Sequence, residues 1–168
     1  MDAEYQRRLI AADFTRLEER LEIDTTLNVR PDWIGDVLFV QMFGPAGESQ
    51  PYLVKIEPWL YPVGPWRVGF IDPSVEGERR LTVPDRDPRF WPYSQLPGAF
   101  GGFHVHFQRA HRVFVCLPFT TEFFHYHGER PWEPYVYDLY GVVMTLNEAL
   151  KKAVHFSVWL EMNYGIVR

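Results

Sequence analysis

"VLFVQMFGPAGESQPYLVKIEPWLYPVGPWRVGFI", residues 37–71, contains three apolar runs separated by Gly and Pro. The runs are VLFVQMF (37–43), YLVKIEPW (52–59) and WRVGFI (66–71), joined by GPAGESQP and LYPVGP. Such short connections suit adjacent antiparallel strands, because parallel neighbours need a crossover of a dozen or more residues. The stretch therefore predicts an antiparallel meander.

Upstream, residues 2–22 carry Leu9, Ile10, Phe14, Leu17 and Leu21 at helical spacing, with Arg and Glu on the other face, which predicts an amphipathic helix. Residues 23–36 read as irregular, with Pro31 and Gly35 as breakers. Residues 72–101 are dense in Pro, Gly and Asp and read as a structureless stretch, either functional or an insertion. Beyond them, 103–107 and 112–116 read as strands. Residues 135–155 read as a helix with Val136, Leu139, Tyr140, Val143, Leu146 and Leu150 on one face. The tail, 156–168, reads as a further helix or an extended edge. A helix followed by a meander is α+β, here in a single domain over 1–168.

The balance of charge excludes several function classes. Net charge is −5, and Lys and Arg form no run beyond pairs such as Arg79-Arg80, so neither nucleic acid nor an anionic membrane is an expected partner. One cysteine rules out an internal disulfide and suits a reducing cytoplasm. The start, MDAEYQRRLI, has no apolar core of a signal peptide, and no apolar stretch approaches the length of a membrane span. The expectation is a cytoplasmic protein.

That cysteine, Cys116, ends the run RVFVC and is followed by Leu117-Pro118. It can be a small buried hydrophobe, as free cysteines often are. It can equally be a nucleophile set by a rigid strand at the junction with a loop, where sulfur serves as both attacking and leaving group. The histidines raise a second possibility. HVH (104–106) and HYH (125–127) each put two imidazoles on one face of a strand, and with His111 and Cys116 they form a conceivable zinc set. Structural zinc usually recruits more than one cysteine and no Cys-x-x-Cys occurs, so no metal or other cofactor is expected. Glu122 is a candidate acid/base, and Tyr61, Pro62, Trp132 and Pro134 read as packing elements.

The order of motifs resembles the ubiquitin-conjugating enzyme family over roughly residues 5 to 150. GPAGESQPY (44–52) is similar to the family's Gly-Pro … Pro-Tyr turn. YPVGPWRVGF (61–70) resembles its Tyr-Pro-x-x-Pro-Pro-x-Val-x-Phe signature, with Trp66 in place of the second proline. HFQ (106–108) stands where the family has His-Pro-Asn, CLP (116–118) resembles the Cys-Leu of the active-site loop, and WEP (132–134) its Trp-x-Pro. The ten-residue spacing from His106 to Cys116 is that of the family. The long 72–101 segment and the long loop from Cys116 to Trp132 depart from the pattern.

The resemblance implies a ubiquitin-conjugating-enzyme-like fold: N-terminal helix, antiparallel meander, active-site loop and C-terminal helix. It implies a transferase in which Cys116 carries a ubiquitin-like protein as a thioester. Gln108 takes the place of the family's asparagine as donor to the oxyanion, and His106 that of a histidine that holds the loop. The implied partners are an activating enzyme, a ubiquitin-like protein and a target protein, with residues 2–22 as the docking element for the first. The departures suggest a bacterial member similar to those of antiviral (antiphage) defence operons, which also encode a deconjugating metalloprotease. Two alternatives stand beside this reading. One is a catalytically inactive module that binds a ubiquitin-like protein. The other is a Cys–His hydrolase with His106, His111 or His127 as base, which needs an imidazole roughly 3 Å from the thiol.

Overall fold

The computed structural model describes residues 2–24, 26–44, 51–58, 61–62, 64–93, 102–106, 112–121 and 138–155. The chain is mixed α+β. Helix α1 (Ala3–Ile23) is followed by β1 (Arg30–Ile34), β2 (Val37–Met42), β3 (Tyr52–Glu57) and β4 (Arg67–Ile71), which form one antiparallel sheet in sequential order. Next come 3₁₀ turns at Gly77–Leu81 and Pro88–Phe90, then β5 (Pro92–Tyr93) and the hairpin of β6 (Gly102–His106) and β7 (Arg112–Cys116). Helix α2 (Leu139–Leu150) leads to β8 (Val154–His155), which pairs with β5.

Residues 23–36 are not irregular throughout, because β1 pairs with β2 from Arg30↔Gln41 to Ile34↔Val37. Gly35 has φ +64°, the positive value that a two-residue hairpin turn requires at its first position. Pro31 is tolerated because β1 is at the edge of the sheet, where a missing N–H breaks no ladder. Helix α2 is shorter than the expected 135–155: Asp138 is extended and its carboxylate accepts from the Gly141 N–H at 2.8 Å, an N-cap that sets the start, and the helix ends at Leu150, with Val154–His155 a strand; residues 135–137 lie outside the described residues. The tail 156–168 lies outside the described residues.

Strand alternation divides the sheet into two apolar faces. Leu38, Val40, Met42, Tyr52, Val54, Ile56, Val68 and Phe70 point inward to the main core, which α1 closes with Ile10 and Leu17 and α2 with Leu139, Val142, Val143, Leu146 and Leu150. The opposite face carries Phe39, Leu53 and Ile71, which an antiparallel sheet commonly leaves to solvent. Here residues 72–91 cover it. Val83 packs on that apolar trio, and the Lys55 ammonium donates to the Leu81 carbonyl at 3.4 Å. Arg80 reaches Asp32 at 2.6 Å. Residues 72–91 of the 72–101 segment expected to lack structure are therefore a strap, held by polar anchors that their Pro, Gly and Asp content did not reveal; residues 94–101 lie outside the described residues.

Asp85 is the central anchor. Its carboxylate pairs with Arg67 at 3.1 Å, and its carbonyl accepts from the Phe70 N–H at 3.3 Å and from the Trp91 indole N–H at 3.0 Å. Trp91 is fully buried in the main core, edge-on to Phe70 with ring centroids 5.0 Å apart. The strap thus passes around the β4 edge, from the outer face of the sheet to the inner one.

Candidate functional site

Cys116 is the last residue of β7, opposite Gly102 of β6, and it is 5% exposed. After it the chain makes a tight turn in which the Thr120 N–H donates to the Leu117 carbonyl at 2.9 Å. Thr120 is fully buried. Its hydroxyl lies 2.6 Å from the Val115 carbonyl and 2.9 Å from that of Leu117, and it accepts from the Leu117 N–H at 3.3 Å. The far end of the turn is fixed to the start of β4. The Trp66 N–H donates to the Phe119 carbonyl at 2.9 Å, and the Thr121 N–H donates to the Trp66 carbonyl at 3.1 Å. This explains the residue at position 66: a proline there has no N–H, and the first of those bonds would be lost.

The same tryptophan is tied to α1. Its ring is stacked on Tyr61, with centroids 4.4 Å apart and planes inclined by 23°. Tyr61, which precedes the cis-proline Pro62, donates its hydroxyl to the carboxylate of Asp13, which also takes the Arg16 guanidinium. Asp13 is 1% exposed, on the face of α1 that carries Ile10 and Leu17. A carboxylate at that position, three residues after one core residue and four before the next, is a signal the sequence does carry. Gln6 adds a bond from its side-chain amide to the Tyr61 carbonyl at 2.8 Å. Beside this helix a cavity of about 300 Å³ is lined by Gln6, Arg7, Ile10, Asp36 and Glu57, among others.

Burial and the bond to Asp13 push the Tyr61 hydroxyl well above the ordinary tyrosine range. Burial and a bond to Asp24 raise Tyr140 in the same direction. The folded chain therefore keeps these protons at a pH where the unfolded chain, with tyrosines near their usual value of about 10, has lost them. Stability should be fully present below about pH 10 and fall as pH rises above it. Denaturant unfolding between pH 8 and 11.5 should show this decline, shallower in Tyr61→Phe; equal slopes in the two chains would contradict it.

The sequence-predicted residues are only partly brought together. The hairpin register pairs His106 with Arg112, at the opposite end from the Gly102↔Cys116 pair. Four residues along a strand is about 13 Å, the backbone separation of these two pairs along the hairpin. Gln108, His111, Glu122, His125, His127, Trp132 and Pro134 lie outside the described residues. Among the described residues no group of three or more His, Cys, Asp or Glu is placed to hold a metal ion, and no helix is long and apolar enough to cross a membrane. Thr120 was missed in the sequence, where "CLPFT" gives no sign that a hydroxyl returns to the backbone around the cysteine.

Comparison with protein-family models, with curated proteins and with solved structures finds no match to this chain.

Proposed function

We propose that this chain is a conjugating enzyme for a ubiquitin-like protein, with a ubiquitin-conjugating-enzyme-like fold. In the first step the Cys116 thiolate attacks the thioester carbonyl at the C-terminus of a ubiquitin-like protein held on an activating enzyme, whose cysteine sulfur leaves as thiolate. In the second, an amine of a target protein attacks the Cys116 thioester, and the cysteine sulfur leaves as thiolate. The supporting observation is the placement of Cys116: it ends a strand, on a turn bonded to the start of β4, after an N-terminal helix and an antiparallel meander and before a second helix. The Leu117 N–H, the amide next to the nucleophile, is already donated to Thr120, so an oxyanion donor has to come from elsewhere. The resemblance assigns that role to Gln108 and a loop-holding role to His106. The exposed face of α1 and the adjoining cavity are the candidate surface for the activating enzyme. By the same resemblance the setting is the cytoplasm of a bacterium, in an antiviral operon with its own deconjugating metalloprotease.

With ATP, the activating enzyme and the ubiquitin-like protein, a non-reducing gel should show an adduct that thiols remove and that is absent in Cys116→Ala. An adduct that persists in Cys116→Ala ends this reading. The 5% exposure of Cys116 favours a second reading, a catalytically inactive module that only binds a ubiquitin-like protein. Tight non-covalent binding without adduct under every ATP condition would establish it over the first.

A further inference from the structure

We propose that residues 73–84, the outer part of the strap, form a lid over Phe39, Leu53 and Ile71, latched by the Arg80–Asp32 ion pair, that opens while the rest of the fold stays closed. The lid stands apart from the acyl-carrier reading above and is measurable without it.

The segment is tied more firmly to itself than to the sheet beneath it. The Ser74 N–H and hydroxyl donate to the Asp72 carboxylate at 2.8 and 2.6 Å, and the Val75 N–H donates to the Asp72 carbonyl at 3.2 Å. The Arg80 Nε donates to the Val75 carbonyl at 2.8 Å, and the Thr82 N–H to that of Arg79 at 3.2 Å. All of these stay made when the segment lifts as one piece. Among the described residues, its polar links to the sheet come from Arg80, which reaches Asp32 at 2.6 Å, and from the Leu81 carbonyl, which accepts from Lys55 at 3.4 Å. The second is long for a hydrogen bond. The first is a pair that solvent screens, because the Asp32 side chain is 55% exposed. Apolar contact with the trio comes from Val83, and the Arg80 guanidinium lies 6.0 Å from the centre of the Phe39 ring. Part of the seam is not close-packed at all. A cavity of about 180 Å³ lies there, lined by Pro73 and Arg80 from the lid and by Asp32, Phe39 and Leu53 from the sheet.

Both ends of the lid are fixed. Asp72 follows β4 directly, and Asp85 is bonded to Phe70, to the Trp91 indole and to Arg67. The lid can therefore lift between them without drawing Trp91 out of the core. Segments with few buried apolar contacts are the ones that open below the cost of global unfolding. What this opening uncovers is an apolar surface, of the kind through which proteins meet partners.

The test places a cysteine on either face of the sheet in the full chain: Ile71→Cys beneath the lid and Val54→Cys in the main core. Iodoacetamide reads access to each, and peptide mapping separates them from Cys116. Ile71→Cys should be alkylated at least tenfold faster than Val54→Cys, about the margin of a local opening over a global one. Adding Asp32→Asn, which removes the charge that holds Arg80, should speed Ile71→Cys about threefold, the effect of losing one exposed ion pair. Adding Ile10→Val, in the main core, should speed Val54→Cys about fivefold and leave Ile71→Cys unchanged. Equal rates at the two positions, or acceleration of Ile71→Cys by Ile10→Val, would mean that the outer face is bared only when the whole chain unfolds, and would overturn the lid. An Ile71→Cys rate indifferent to Asp32→Asn would overturn the latch. If Ile71→Cys does not fold, trypsin decides without it. Cleavage after Arg79 or Arg80 should be faster in Asp32→Asn than in the wild type and unchanged in Ile10→Val; no effect of Asp32→Asn, or an equal effect of Ile10→Val, overturns the proposal.

Discussion

Trp66→Ala is expected to lower folding stability by about 3–5 kcal/mol, the usual result of deleting a buried tryptophan. The side chain is 1% exposed and stacked on Tyr61, so its removal leaves a void and exposes the buried face of a second aromatic ring. Small domains have only about 5–15 kcal/mol in total, so the midpoint of urea unfolding should fall steeply. The backbone bonds of residue 66 to Phe119 and Thr121 remain possible in the alanine chain. In Trp66→Pro the donor to Phe119 is lost as well, and the loss of stability should exceed that of the alanine variant. A midpoint for Trp66→Ala within error of the wild type would show that the Tyr61–Trp66 stack does not hold this part of the core.

Gly69→Ala is expected to cost about 1–3 kcal/mol, the range for a methyl group forced into packed surroundings. A Cβ at this position would lie 2.7 Å from the Asp85 Cβ and 2.8 Å from one of its carboxylate oxygens. Asp85 has little room to retreat, since its carbonyl is bonded to Phe70 and to the Trp91 indole and its carboxylate to Arg67. The requirement for glycine comes here from close approach of the strap, not from a left-handed backbone. Asp85→Ala should fail to rescue Gly69→Ala, because the nearest clashing atom is retained and the partner of Arg67 is removed. Thermal unfolding of the two single variants and the double variant checks both statements. An unchanged melting point for Gly69→Ala would mean that the strap does not rest on β4.

The regular elements were legible wherever the apolar pattern was strong. Strands β2 to β4 and β7 and helix α1 fall within a residue or two of the periodic runs that predict them, because a buried face demands regular spacing. Strand β1 was not legible: RPDWI has a proline and two charges, and it is a strand because β2 supplies the partner and Gly35 the turn. The strap was misread for a related reason. Its stability comes from Asp85, Arg80 and Val83 meeting residues far away in the chain, contacts that local composition does not encode. At the candidate site, the end-of-strand position of Cys116 was readable from RVFVC followed by Leu-Pro. Its burial and the return of the Thr120 hydroxyl were not, because both depend on how the turn meets β4. Asp13 lies between these cases, as its helical phase places it inside but cannot name Tyr61 as its partner.

The path of the strap around β4 has a consequence for how copies of this chain behave at high concentration. Backbone groups along the β4 edge are engaged by Phe119 and Thr121 at one end and by Asp85 at the other, so a strand from another molecule finds fewer left to zip onto. Within the four-stranded sheet the other rim is β1, where Pro31 lacks a donor. Both flanks of the sheet are thus poor templates for fibre-like growth.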